Sequence, residues 1–151
     1  MPRYYSASFT DVAVTADQDF FQIEAVIRPA TLLACYISQN SDPADADAEN
    51  LTINIVRVTD AVTAGPTEAQ LDPGDAAATA DVAINDITPI TTGAITIHSE
   101  AWHIAQTWIW LPPPELRIVV EIDNTVTFNL VANPTDSLTC SGTLYWSESG
   151  S

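Results

Sequence analysis

The chain has 151 residues, of which 46% are hydrophobic, and 20 acidic against 4 basic residues give it a formal net charge of −16. This length and composition predict a single globular domain over residues 1–151, large enough to form a core without disulfides or metal. The charge argues against nucleic acid and anionic membranes as partners, because both are polyanionic surfaces.

Neither a targeting segment nor a disulfide framework is evident. The start of the chain has no apolar run long enough for a secretory signal, and no stretch approaches the ~20 apolar residues of a membrane span. We therefore expect a leaderless cytoplasmic product. Cys35 and Cys140 occupy apolar positions of predicted strands. This favours two buried free thiols, while the sequence leaves open whether they pair.

The first 58 residues show the period-of-two patterns of β-strands. Arg3–Val14 changes phase at Thr10–Asp11, which predicts either one strand with a bulge or bend or two short strands. The alternation in 19–28 predicts a strand buried on one face, and the more continuous apolar run 31–39 predicts one covered on both faces. A further strand with an internal phase change is expected at 51–58.

The chain then becomes irregular before alternation returns. Residues 59–80 contain the turn signals Gly65–Pro66 and Pro73–Gly74 and are expected to form a long loop. Strands are predicted at 81–87 and 92–98. Eight to ten short strands and no long helix indicate an all-β fold, an antiparallel sandwich of the jelly-roll kind.

The stretch Ala101–Ile122 is the most apolar part of the chain and contains three of the four tryptophans and the proline run 112–114. Strict alternation after the prolines predicts a core strand there, and further strands are expected at 126–130 and 137–148. The core side chains predicted with most support in this stretch are Leu116, Ile118, Val120 and Ile122.

Two groups of side chains contain potential metal ligands, and the spacing within each group argues against a metal site. An acidic loop resembles the start of an EF-hand but lacks its glycine, its final glutamate and its flanking helices, which favours a solvated loop. His98 and His103 are five residues apart, so a continuous strand would place them on opposite faces. The acids of the loop are Asp42, Asp45, Asp47 and Glu49.

No catalytic signature is present, and we predict neither an enzyme nor a cofactor or metal site. The chain has no GxSxG element, no local cysteine-nucleophile motif and no glycine-rich phosphate loop. A pair of carboxylates suited to glycoside hydrolysis stays possible in principle, since any two acids can meet in space.

The tryptophans have two interpretations. They either pack in the core, as tryptophan usually does, or stand exposed as anchors for a partner chain or a carbohydrate. Trp108 and Trp110 share one face of a strand opposite Ile109, so both indoles point outward if Ile109 faces the core. The candidate partner-interface residues are Trp102, Trp108, Trp110, Tyr4 and Tyr5.

In their order along the chain, several short pieces resemble the capsid decoration, or cement, proteins of tailed bacteriophages. Each piece is weakly specific alone, and together they span most of the sequence. They are Arg3–Phe9, Ser38–Asp42, Leu71–Asp75, Glu100–Trp102, Trp108–Trp110 with the prolines, and Cys140–Tyr145.

The resemblance implies a non-enzymatic β-sandwich of the virion, without catalytic residues. Copies would bind the major capsid protein on the capsid exterior, as homotrimers at its symmetry axes, and stabilise the shell against internal DNA pressure. Two alternatives remain open at this point. One is a carbohydrate- or receptor-binding jelly roll, suggested by tryptophans beside acidic loops, and the other is a virion role in the tail, neck or head fibre.

Overall fold

The computed structural model describes residues 1–40, 49–63, 65 and 68–149. Strands dominate these residues, and helix is limited there to one 3-10 turn at Pro114–Leu116. The strands are β1 (Arg3–Val14), β2 (Gln18–Glu24), β3 (Ala30–Gln39), β4 (Asn50–Val58), β5 (Ala69–Gln70), β6 (Asp81–Asp86), β7 (Ile95–His103), β8 (Trp108–Trp110), β9 (Val119–Val120), β10 (Thr125–Leu130) and β11 (Leu138–Glu148).

Two antiparallel sheets pack face to face. Sheet A has the order β5-β1-β11-β3-β8, with β9 also beside β3, and sheet B has the order β6-β2-β10-β4-β7. The order β1-β11-β3-β8 in one sheet facing β2-β10-β4-β7 in the other is the jelly-roll arrangement. The predicted antiparallel sandwich is confirmed, with eleven strands among the described residues in place of eight to ten; β5, β8 and β9 have only two or three residues each.

Aromatic side chains from both sheets fill the space between them. Phe21 and Phe128 of sheet B are fully buried and meet edge to face, with ring centroids 6.3 Å apart. From sheet A, Phe9 lies 5.3 Å from Phe21, centroid to centroid. One cluster of buried apolar residues results, as expected when two half-buried sheets share a core.

The predicted bulge in β1 is confirmed. The pairing of β1 with β11 shifts between Phe9 and Val12, and Asp11 has a φ of 54°. Phe9 lies opposite Gly142, where an added Cβ would come within 2.9 Å of both the Phe9 ring and the Tyr36 carbonyl oxygen. Glycine at this position therefore allows the bulged strand to pack closely on β11.

Both cysteines are buried and free. Cys35 pairs in register with Leu144, four residues from Cys140, which separates the cysteines by about 13 Å along the strands. A disulfide needs its Cα atoms within about 7 Å, so these two cannot pair without rearrangement. Burial raises the pKa of the Cys35 thiol and raises that of Cys140 to about 12, which keeps both in the unreactive thiol form.

The prediction of a core strand after the proline run is largely wrong. Only Val119–Val120 forms a strand, and of the expected core residues Val120 alone is buried. Leu116 is 69% exposed in the 3-10 turn, Ile122 is 43% exposed and Ile118 is half-buried. The physical reason is that the segment runs along the free edge of β3 and pairs with it only at Val119–Val120, and the prolines before it, which cannot donate to a ladder, prevent a longer strand.

Strands β2 and β3 differ from their predictions in opposite ways. On β3 most outward positions are half-buried, so this strand is covered on one face. On β2 both faces are buried, because two irregular segments, 59–63 and 87–94, cross the outer face of sheet B. There Thr125 Oγ1 donates to the Asp60 carbonyl at 2.6 Å, and Val62 N–H donates to Glu24 Oε2 at 2.7 Å.

Candidate functional site

The β5/β6 side of the sandwich is closed by a segment of the long loop, residues 71–80. The Glu148 carboxylate, 1% exposed, accepts hydrogen bonds from Thr79 N–H, Thr79 Oγ1 and Ala80 N–H at 2.9–3.0 Å. The Tyr5 hydroxyl donates to the Ala76 carbonyl at 3.0 Å. These bonds hold the segment across the gap between the sheets, so the gap is closed on this side.

The outer face of sheet B is also covered over β2 and β10, where it encloses a buried acid. Asp19 accepts hydrogen bonds from Gln22 Nε2 at 2.8 Å, Asn129 Nδ2 at 2.9 Å and Ile90 N–H at 3.1 Å. Burial raises the pKa of the Asp19 carboxyl, and those three donors partly oppose the shift. Gln22 also donates to Asp86 Oδ2 at 3.1 Å.

Gln22 bridges the carboxylates of Asp19 and Asp86, and the chemistry of this pair is limited. Asp19 is completely buried, so a substrate cannot reach it without displacing the covering segments. Within the described ranges, no group of three or more potential metal-ligating side chains comes together. We therefore interpret this network as structural.

The opposite side of the sandwich is open. Strands β7 and β8 end their respective sheets, and a groove of about 460 Å³ lies between them and the proline segment. Its walls carry four exposed apolar side chains, and Trp110 lies against its floor. The wall residues are Ile97, Ile109, Leu111 and Leu116, between 42% and 69% exposed.

Two polar side chains of β7 also line this groove. His98 and Glu100 pair in register with Ile55 and Ile53, which are core residues, and so share the inward phase of β7. His98 Nε2 lies 3.1 Å from Glu100 Oε2. An apolar groove with one convergent polar pair has the character of a binding surface.

The two histidines are not brought together. The His103 ring accepts a hydrogen bond at Nδ1 from Ala105 N–H, at 3.2 Å, while His98 lies in the groove beside Glu100. Of the predicted acidic loop, Asp42, Asp45 and Asp47 lie outside the described residues. Glu49 accepts a hydrogen bond from Thr135 N–H at 3.0 Å.

The expectation of outward indoles is wrong. Trp108 and Trp110 are 3% and 7% exposed, while Ile109 between them is 52% exposed. Pairing of β8 with β3 places Trp110 opposite Cys35, an inward position, and Phe128 receives both indoles at centroid distances of 6.3 and 5.8 Å. A three-residue strand has too little alternation for its phase to be read from sequence.

Of the three remaining predicted interface residues, two are buried and one is exposed. Trp102 is 2% exposed and its Nε1 donates to the Gln106 carbonyl at 2.7 Å; Tyr5 is completely buried. Tyr4, 45% exposed, is the one predicted interface residue whose side chain reaches the surface. Core packing is therefore the correct interpretation for the tryptophans of this group and for Tyr5.

The outer face of sheet A is open and rich in hydroxyl groups. One row across the sheet runs through Ser8, Thr143, Tyr36 and Ile109, as the strand registers show. Tyr145 meets Tyr36 edge to face at 6.2 Å. None of these side chains is charged, so this row offers hydrogen bonds and apolar contact without an acidic group.

Ile109 belongs to both the groove and this face, and together they form one area that we call the uncharged surface. Residues 87–114, which include β7 and β8, contain only one of the chain's 20 acidic residues, Glu100. That low acid density was the sequence signal for the site. The interface predicted from the sequence was based on the tryptophans. It therefore did not include Ile97, Leu111 or the His98–Glu100 pair.

No helix in the described part of the chain has the length and hydropathy needed to cross a membrane. Comparison of the chain with protein-family models, with curated proteins and with solved structures gives no match.

Proposed function

We propose that the chain is a non-enzymatic structural virion protein that binds the outside of a tailed-bacteriophage capsid and stabilises it. The sequence resemblance to capsid decoration proteins supports the proposal. The observation that carries it is the uncharged surface, a continuous apolar and hydroxyl-rich area on a molecule with a net charge of −16. Its partner in this role is the major capsid protein, bound from the capsid exterior.

The charge distribution suits such docking. A charged group that loses water at an interface must be compensated, whereas apolar surface gains about 25 cal/mol for each Å² that is buried. The exposed isoleucine and leucine side chains of the groove supply that surface, and the hydroxyl row beside them supplies hydrogen bonds. An acidic protein can in this way contact a partner while burying one carboxylate, that of Glu100, which is paired with His98.

The mass of the free protein tests the oligomeric part of the proposal. The resemblance implies homotrimers at symmetry axes of the shell, and sedimentation equilibrium measures the number of copies directly. A protein that is strictly monomeric and also fails to bind shells would contradict the proposed role.

Shell binding is the decisive experiment, with shells of the parent phage purified without this protein. We expect the wild-type chain to co-sediment with them and to raise their resistance to heat. Ile109→Asp places a charge at the centre of the uncharged surface and should weaken binding at least about tenfold, the effect of roughly 1.4 kcal/mol. Ile27→Asp is the matched control, since Ile27 is 65% exposed in the turn after β2.

The outcome also separates the alternatives. Binding to tails or necks in place of shells would assign the protein to another part of the virion. The carbohydrate-binding alternative was motivated by exposed tryptophans, and that motivation is lost because Trp102, Trp108 and Trp110 are buried. Shells that neither bind the protein nor gain stability from it would overturn the decoration role.

A further inference from the structure

Strand β7 has one hydrogen-bonding edge with no strand beside it in the described part of the chain. It ends sheet B, and eight of its nine residues pair with β4. Ile104 N–H donates to the Glu49 carbonyl at 3.3 Å, and bonded positions alternate along an antiparallel strand. Glu100 is therefore bonded to β4, and Ser99 and Ala101 direct their N–H and C=O groups away from the sheet.

We propose that two copies of the chain pair antiparallel along β7 about a twofold axis at Ser99, which joins sheet B of one copy to sheet B of the other. Ser99 of each copy then faces Ser99 of the second copy and exchanges both backbone hydrogen bonds with it. His98 of each copy faces Glu100 of the second copy. The inference concerns contact between copies and does not depend on shell binding.

Donor–acceptor complementarity between imidazole and carboxylate selects this register. With the axis at Ser99, each His98 lies directly across from a carboxylate, at the short separation of opposed side chains in a sheet. Moving the axis to Glu100 would place two carboxylates opposite each other, and moving it to His98 would place two imidazoles opposite each other. The sequence His98-Ser99-Glu100 is thus self-complementary in one antiparallel register only.

Side-chain size and the distribution of acids favour the same contact. Ser99 and Ala101 are exposed and small, so they allow two backbones to approach. Ile97, at the bulge where β7 shifts against β4, lies beside the groove and would be covered by the second copy. Glu100 is the only acid within residues 87–114, which limits local repulsion between two highly acidic chains.

The contact is compatible with a trimer. A twofold contact closes after two copies, and on a closed shell twofold axes lie between neighbouring threefold axes. In solution the contact predicts an even number of copies, which is two for this contact alone.

Removal of one backbone donor provides the test. Ser99→Pro deletes the N–H at the twofold axis and leaves the bonds to β4 intact, so we expect the assembly mass in sedimentation equilibrium to fall by half. Loss of two such bonds per pair should weaken association by about thirtyfold. Ser99→Ala keeps the N–H and should associate like the wild type. Circular dichroism and thermal melting establish that each variant is folded.

A charge exchange tests the register without altering the backbone. His98→Glu places two carboxylates across each contact and should weaken association by about tenfold, an effect of the size reported for opposed charges in sheets. The double variant H98E/E100H restores opposite groups across the axis and should recover wild-type association.

Two results in solution would overturn the pairing of two β7 strands. A wild-type protein that remains monomeric at high concentration overturns it, as does an assembly whose mass is unchanged by Ser99→Pro. A double variant no better than His98→Glu overturns the Ser99 register. Because all of these measurements use the isolated protein, they can fail while shell binding succeeds, and the reverse.

Discussion

At the scale of single residues, Asp19 is the most unusual feature of the core region. It is a completely buried carboxylate in a highly acidic chain, and its hydrogen-bond donors, Gln22, Asn129 and the Ile90 N–H, are all neutral. Burial raises its pKa in the folded state above the ordinary value of 3.8. The carboxyl is thus held by dipoles without a compensating cation, which makes its protonation state matter for stability.

The raised pKa gives a pH dependence of definite sign. The stability that Asp19 contributes is fully present below pH 3.8 and is lost as the pH rises through the higher folded-state pKa. Asp19→Asn keeps an oxygen that can accept from Gln22 and Ile90 but loses the bond from Asn129. We expect the variant to be less stable by about 1 kcal/mol at pH 3.5, and this deficit should shrink or reverse by pH 7.

Urea unfolding of both proteins between pH 3.5 and 7 measures this difference. Glu115→Gln is the control, because it makes the same carboxyl-to-amide change at an exposed site in the 3-10 turn. Its difference from the wild type should stay nearly constant over the same range. A constant difference for Asp19→Asn as well would refute the assigned role of burial.

At the scale of elements, the segment 71–80 explains why the two sides of the sandwich differ. It leaves sheet A after β5 and enters sheet B at β6, so it spans the gap between the sheets. Its anchor is the carboxylate of Glu148 at the end of β11, with Tyr5 as a second attachment. The β7/β8 side has no equivalent segment among the described residues, and its apolar groove stays open.

Loss of the Glu148 anchor should release this segment. Glu148→Ala leaves the Thr79 and Ala80 N–H groups without their acceptor, and we expect the free energy of unfolding to fall by about 2–4 kcal/mol. Glu148→Gln retains one accepting oxygen and should lose roughly half as much. Urea unfolding measures both values, and proteinase K should cleave Glu148→Ala within 71–80 faster than it cleaves the wild type. Equal cleavage rates would argue against the anchoring role.

The elements that sequence predicts well are those with long alternation inside a sheet. The bulged β1 and the alternating β11 were both expected, because five or more apolar positions fix the phase of each. Prediction failed where tertiary contact decides the phase. Residues 116–122 alternate but border a sheet, and the direction of Trp108 and Trp110 follows from pairing with β3, which no local pattern encodes.

At the scale of the whole molecule, the acidic residues lie almost entirely outside the uncharged surface. The 20 acidic residues give a net charge of −16, yet the groove contains only Glu100 and the row across sheet A has no charged side chain. Repulsion among the acids opposes the compact state, while their scarcity around β7 and β8 lowers the electrostatic barrier to contact there. The same distribution therefore weakens the fold and favours association.

This separation predicts that salt stabilises the fold itself. Raising the ionic strength from 0.01 to 0.1 M shortens the screening length from about 30 to about 10 Å, which removes most repulsion between exposed acids on different loops. We expect the thermal midpoint to rise by several degrees over this interval, equally in NaCl and KCl, and to change little above about 0.3 M. Measurement on Ser99→Pro excludes a contribution from dissociating copies. A midpoint that is independent of salt, or one that rises steadily to 1 M, would show that self-repulsion of the −16 chain does not limit its stability.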